Sequence, residues 1–122
     1  MTILIVDDDQ ILADTLARAF KRRGLNCHCL YSLADFNRFM MQEIEGQIPE
    51  RAVVDLKIGD DNGLVIVKAL AEQYPECKTL VLTGYSSIAT AVEAIKLGAV
   101  NYLPKPANAD EILTAMESSA DS

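Results

Sequence analysis

No stretch of this chain reaches the ~18–20 apolar residues that a membrane-crossing helix needs, although half of its 122 residues are apolar. The N-terminus lacks the basic, then apolar, then small-residue order of a secretory signal. Basic residues are scarce, with 11 Lys and Arg against 18 Asp and Glu and a formal charge of −7. Gripping nucleic-acid phosphates takes clustered Lys and Arg, so neither direct nucleic-acid binding by this segment nor a membrane partner is expected. The three cysteines, Cys27, Cys29 and Cys77, do not make a disulfide framework, which suits a reducing, cytoplasmic compartment. Repeats, low-complexity tracts and linkers are absent too. The expectation is one domain over 1–122, with enough apolar material for a real core and a small, polar tail over 117–122 that frays.

What is present is an alternation of short apolar runs with helical patterns. The runs are Ile3–Val6, Cys27–Tyr31, Ala52–Val54, Leu80–Leu82 and Val100–Leu103. The first, third and fourth are unbroken and rich in β-branched residues, as in strands buried on both faces. Between them, Leu12, Thr15, Leu16, Ala19 and Phe20 share one helical face, closed by Lys21-Arg22-Arg23 and Gly24. Ser32 and Asp35 form a capping pattern for a second helix with Leu33, Phe36 and Met40 inward, and Met40-Met41 is read as core. Leu64, Val67 and Ala71 mark a third helix, stopped by Pro75. Ile88, Val92 and Ile95 mark a fourth, ending at Gly98. Asn108 and Glu111 cap a fifth that buries Ile112 and Met116. Five βα units with short connections imply an α/β, doubly wound fold: a mainly parallel sheet with helices on both faces. Ligands in that architecture sit beyond the carboxyl ends of the strands.

Those ends carry chemistry. The first strand ends in Asp7-Asp8-Asp9, the third in Asp55, the fourth in Thr83-Gly84 and the fifth in Lys105-Pro106. Asp9 is placed to cap the first helix. Carboxylates forced together raise the pKa of at least one, and a hard divalent cation relieves the conflict. Mg²⁺ takes oxygen ligands and suits one or two carboxylates with phosphate oxygens. The absence of His and Cys at these ends argues against zinc. A carboxylate is also a nucleophile towards phosphorus, giving an aspartyl phosphate. The metal and Lys105 would then offset the charge of the transferring group, with Thr83 holding a further oxygen.

The series Ile5-Val6-Asp7-Asp8-Asp9, Val53-Val54-Asp55-Leu56, Leu82-Thr83-Gly84 and Tyr102-Leu103-Pro104-Lys105-Pro106 resembles the CheY-like receiver domains of two-component response regulators. Each fragment is weak evidence, but all of them in order over nearly the whole chain are specific. Gly63 also stands where receivers usually have glycine. The stretch from Thr83 to Asp110 further resembles the redox-responsive global regulators of the RegA/PrrA/ActR type. The resemblance implies a flavodoxin-like (βα)5 fold with strand order 2-1-3-4-5. It implies Asp55 as phosphoacceptor from a sensor histidine kinase. Mg²⁺ (or Mn²⁺) would lie on Asp8 and Asp55, on Asp7 largely through water, and on the backbone carbonyl of Lys57. Thr83 would bind the phosphoryl group, Lys105 would pair with it, and Tyr102 would be the aromatic switch. The Lys105–Pro106 bond would be cis. Lys57 and Tyr85 would flank the phosphate, with Tyr85 hindering water. The switched surface would be the fourth helix, fifth strand and fifth helix, controlling dimerisation or an output domain, with DNA-binding transcription control as the expected output. Such a domain is a signalling module, catalysing only its own phosphorylation and dephosphorylation. The tail would lead into a linker to that output domain. One departure is Gly59-Asp60-Asp61 where receivers often carry Pro at position 59, which predicts a looser loop.

Other readings remain alongside. An Asp nucleophile also serves haloacid-dehalogenase-like phosphatases, with Asp7 and Asp9 as their paired acids, but that leaves Asp55 idle. A flavodoxin-like electron carrier would need a Ser/Thr/Gly-rich phosphate loop where this chain has three acids. A pseudo-receiver would have lost acceptor residues that are all present. Tyr102 also fits a plain strand aromatic packed on a helix. Cys27 and Cys29 share a strand face with His28 opposite, which favours packing over metal binding. Arg18, Lys21, Arg22 and Arg23 read as a solvated helix end.

Overall fold

The unbroken apolar runs pair into one parallel sheet. The computed structural model describes residues 2–42, 48–84 and 88–117. In chain order the elements are β1 (Thr2–Val6), α1 (Gln10–Arg22), β2 (Asn26–Leu30), α2 (Leu33–Gln42), β3 (Arg51–Val54), β4 (Lys57–Ile58), β5 (Asp61–Asn62), α3 (Leu64–Gln73), β6 (Lys78–Thr83), α4 (Ile88–Lys96), β7 (Asn101–Pro104) and α5 (Ala109–Glu117). The main sheet runs β2-β1-β3-β6-β7, parallel throughout. Counted without the small β4–β5 ribbon, this is the expected order 2-1-3-4-5.

Alternate strand residues feed two cores. Leu4, Val6, Ala52, Val54 and Val81 pack with Phe36, Phe39, Ile66, Val67, Leu70 and Ala94 from α2, α3 and α4. Ile3, Ile5, Val53, Leu80 and Leu82 pack with Ala13, Leu16, Ala17, Phe20, Ile112 and Met116 from α1 and α5. The order reverses beside β1 and β3, so their carboxyl ends open the crevice where this fold class binds ligands.

The helix ends follow local chemistry. Leu12 N donates to Asp9 Oδ1 (3.0 Å), capping α1. Leu25 N donates to Phe20 O and Gly24 N to Lys21 O, the paired bonds of a Schellman ending. Asn108 and Glu111 cap each other reciprocally at α5 (2.9 and 3.1 Å). At α2, Asp35 N donates to Ser32 Oγ, but the Asp35 carboxylate accepts from Tyr31 N rather than Ser32 N.

Several faces differ from expectation. Thr15 is exposed, its hydroxyl donating to Ile11 O, and Ala13 and Ala17 take the inward positions. Met41 is 81 % exposed, so only Met40 of that pair reaches the core. Val92 is 44 % exposed, while Ala91 and Ala94 are buried. A helix lying close over a sheet puts its small residues inward, whatever the larger aliphatics prefer. Arg23 is not simply solvated: it pairs with Asp110 (2.9 Å) and donates to Ala19 O. The segment expected as a loose loop is a two-stranded antiparallel ribbon, Lys57 opposite Asn62 and Ile58 opposite Asp61. Of the tail expected to fray over 117–122, Glu117 instead closes α5 and is held by Arg51 and Lys78, and 118–122 lie outside the described residues. Among the described residues, no helix is long and apolar enough to cross a membrane.

Candidate functional site

β1 and β3 are adjacent, and each ladder runs one residue past its strand. Asp7 N donates to Leu30 O (3.0 Å), and Asp55 N donates to Val6 O (2.9 Å). That fixes the backbones of Asp7 and Asp55 side by side at the rim. Their side chains turn inward and are 5 % and 7 % exposed. Asp8, between Asp7 and the α1 cap, stays exposed. One carboxylate oxygen from each of Asp7, Asp8 and Asp55 lies within 4.8 Å of the others.

Lys105 brings a cation into this cluster. Lys105 Nζ sits 2.8 Å from Asp7 Oδ2 and 3.0 Å from Asp55 Oδ2. Lys105 N donates to Thr83 O (2.9 Å), tying the segment after β7 to the end of β6. The following Lys105–Pro106 bond is cis. Thr83 itself is buried at the end of β6. Three further acid oxygens meet backbone amides: Asp9 N donates to Asp7 Oδ1 (2.9 Å), Lys57 N to Asp55 Oδ1 (3.1 Å) and Gly59 N to Asp8 Oδ2 (2.9 Å).

Charge is strained here. Burial pushes the Asp7 carboxyl above the usual range, against the hydrogen bonds from Lys105 and Asp9, and the negative Asp55 adds to the rise. Burial alone would pull the Lys105 ammonium down, but its hydrogen bonds to Asp7 and Asp55 and their charges together outweigh burial and hold it up. Three acids against one ammonium leave an excess of negative charge in an all-oxygen pocket. That donor set fits a hard divalent cation, with Asp7, Asp8 and Asp55 as its side-chain oxygens.

Asp7, Asp8, Asp55 and Lys105 thus form one constellation, and the Lys57 amide joins it. Tyr102 stands apart: it is half-buried on β7 opposite Val81 and packs on the core beneath α4. Tyr85 lies outside the described residues. Cys27 and Cys29 pack towards α1, while His28 on the opposite face meets the Phe39 ring at 5.1 Å. Burial pushes the Cys27 and Cys77 thiols up to about 11 and raises Cys29 as well, which suits inert packing.

Two glycines matter more than their sequence context suggested. A Cβ on Gly63 would lie 2.0 Å from Asp55 O and 2.8 Å from Leu56 Cα, so nothing larger fits behind the acid. The family pattern marks that position, but only the backbone contact explains it. Gly59 supplies the amide that holds Asp8; the Gly59-Asp60 turn composition was the one available signal.

The sequence matches the response regulator receiver domain family over residues 3–117. It is 41 % identical over 121 residues to the photosynthetic apparatus regulatory protein RegA of Cereibacter sphaeroides, covering 99 % of this chain and 64 % of RegA. It is 43 % identical over 115 residues to the acid tolerance regulatory protein ActR of Sinorhizobium medicae, covering 94 % of this chain and 57 % of ActR. The chain therefore spans less than two thirds of these relatives. The fold superposes with TM-score 0.86, at 42 % identity and over 94 % of this chain and 65 % of the other, on a Burkholderia pseudomallei response regulator whose crystal structure holds a phosphorylated aspartic acid, a calcium ion and citrate. With the acids, the lysine and the strand order in place, this chain belongs to the response regulator receiver domain family of two-component systems, and its similarity runs to the RegA and ActR regulators.

Proposed function

We propose that Asp55 is the phosphoacceptor, receiving a phosphoryl group from a sensor histidine kinase in the cytoplasm. A carboxylate oxygen of Asp55 forms the new P–O bond as the donor's P–N bond breaks, and the imidazole leaves. The observation that carries this reading is the Lys105 ammonium bridging the buried carboxylates of Asp55 and Asp7. That ammonium can follow the charge onto the phosphoryl oxygens once Asp55 carries the acyl phosphate.

Asp7, Asp8 and Asp55, with the Lys57 carbonyl, would hold Mg²⁺ or Mn²⁺. The bound ion would supply charge neutralisation for the incoming phosphoryl group. Thr83, buried at the end of β6, would bind a phosphoryl oxygen. Tyr102 would then change its packing against the core beneath α4, altering the α4–β7–α5 surface. A second copy reading that surface gives a homodimer. A transcription-controlling output domain beyond this segment is the fuller expectation, with 1–122 serving as one receiver domain. Its only chemistry would be its own phosphorylation and dephosphorylation, with Lys57 and Tyr85 flanking the phosphate.

The test is incubation with a small phosphodonor and Mg²⁺, followed by intact mass and peptide mapping. The expected result is one phosphoryl group on Asp55, lost in Asp55→Ala and without added metal. Equal phosphorylation of Asp55→Ala would overturn the reading.

A further inference from the structure

The β4–β5 ribbon touches two of the three acids through its own backbone. Lys57 N donates to Asp55 Oδ1 (3.1 Å) and Gly59 N donates to Asp8 Oδ2 (2.9 Å). Amides two residues apart on an extended segment point to the same side, so the first strand of the ribbon and its turn present a pair of donors to the acid cluster. Ile58, between them, is 2 % exposed and packs into the core with Phe36 and Ile66. The far end is anchored too: Asn62 Oδ1 accepts from Leu64 N at the start of α3, and Gly63 N donates to Leu56 O.

We propose that this ribbon is a positioning device for the divalent-cation ligands, with the Gly59 amide holding the Asp8 carboxylate beside Asp7 and Asp55. The inference rests on the reading of those three acids as ligands. Asp8 is the exposed member of the cluster and has the most freedom to swing away. Two buried carboxylates within 4.8 Å repel it outwards. The Gly59 N–H opposes that repulsion at one oxygen. Outer partners that orient ligating carboxylates commonly set metal affinity. A proline at position 59 would have no N–H to give.

Gly59 makes the device testable without touching a ligand. Its φ is +60°, in the left-handed region, and nothing lies within 4 Å of where a Cβ would stand. A substitution there acts through backbone conformation and not through a clash. Valine strongly disfavours that region, whereas asparagine tolerates it.

The experiment is a Mg²⁺ titration of the unphosphorylated full chain, read by amide chemical shifts, for wild type, Gly59→Val, Gly59→Asn and Asp8→Ala, with thermal unfolding of each. The expected result is a saturable shift of the Gly59 amide in wild type. Gly59→Val should weaken Mg²⁺ by about tenfold, Gly59→Asn should stay within about twofold of wild type, and all should remain folded. Wild-type affinity in Gly59→Val, with binding lost in Asp8→Ala, overturns the positioning role and leaves the ligand reading standing. Equal weakening by Val and Asn overturns the backbone explanation. No saturable shift in wild type overturns the ligand reading itself, and this inference with it.

Discussion

The two edges of the sheet solve the same electrostatic problem in opposite ways. At the carboxyl edge, Asp7 and Asp55 stand side by side at the ends of β1 and β3, and Lys105 bridges them. At the amino edge, Arg51 and Lys78 are register partners at the starts of β3 and β6, and Glu117 bridges them, one oxygen to each (2.8 and 3.1 Å). The difference is solvent. Glu117 and Lys78 have side chains about half exposed, so water screens the residual positive charge. Asp7 and Asp55 are almost fully buried, and Asp8 adds a further negative charge beside them. Like charge held where little water reaches is costly to keep, and a divalent cation of the kind proposed above would offset that cost.

The contrast breaks most sharply at Lys105. Lys105→Met leaves two buried acids facing each other without a cation. Breaking a buried pair costs roughly 3–5 kcal/mol; protonation of one acid brings the expected loss to about 3 kcal/mol in urea unfolding near pH 7. Phosphate gain on Asp55 should fall at the same time. Next comes Gly63→Ala. Its methyl meets backbone at Asp55 and Leu56, which cannot swing aside as a side chain can. A loss of about 2–3 kcal/mol is expected, at the upper end for overpacking, and crystallography of the variant should show the Asp55 carbonyl displaced. Asp8→Asn should act with the opposite sign, raising stability by about 0.5–1 kcal/mol as it removes one like charge. It should also abolish the thermal stabilisation by Mg²⁺, about 1.4 kcal/mol for wild type at ten times the Kd.

The carboxyl edge was legible in the sequence because three of its residues close apolar runs: Asp7 after Ile3–Val6, Asp55 after Ala52–Val54, Thr83 after Leu80–Leu82. Parallel pairing brings such endings together. Helix existence and caps were legible for similar local reasons, as at Asp9 and Asn108. Helix faces were legible only in part: Leu16, Phe20, Phe36, Val67, Ile112 and Met116 are buried as read, whereas Met41 and Val92 are exposed. Hydrophobicity points Val92 inward, but the space beneath α4 admits Ala91 and Ala94. The β4–β5 ribbon was invisible because backbone pairing makes it, without any side-chain alternation over Lys57–Asn62. The amino-edge bridge joins residues far apart in the chain, Arg51, Lys78 and Glu117, and no local pattern announces it.

That bridge provides the smallest effect and the cleanest control. Hydrogen bonding to Lys78, then the charges of Lys78 and Arg51, hold the Glu117 carboxyl below its ordinary value of 4.5. A carboxyl lowered on folding contributes stability that is full above its unfolded pKa and is lost as pH falls through its folded pKa. Glu117→Gln should therefore lower the Tm near pH 7 by less than Asp8→Asn raises it. The gap from wild type should shrink as pH drops from the ordinary glutamate value into more acid solution, and also with added salt. A gap that stayed constant through that acid range would mean that Glu117 acts by packing at the end of α5, and the electrostatic parallel between the two edges would fail.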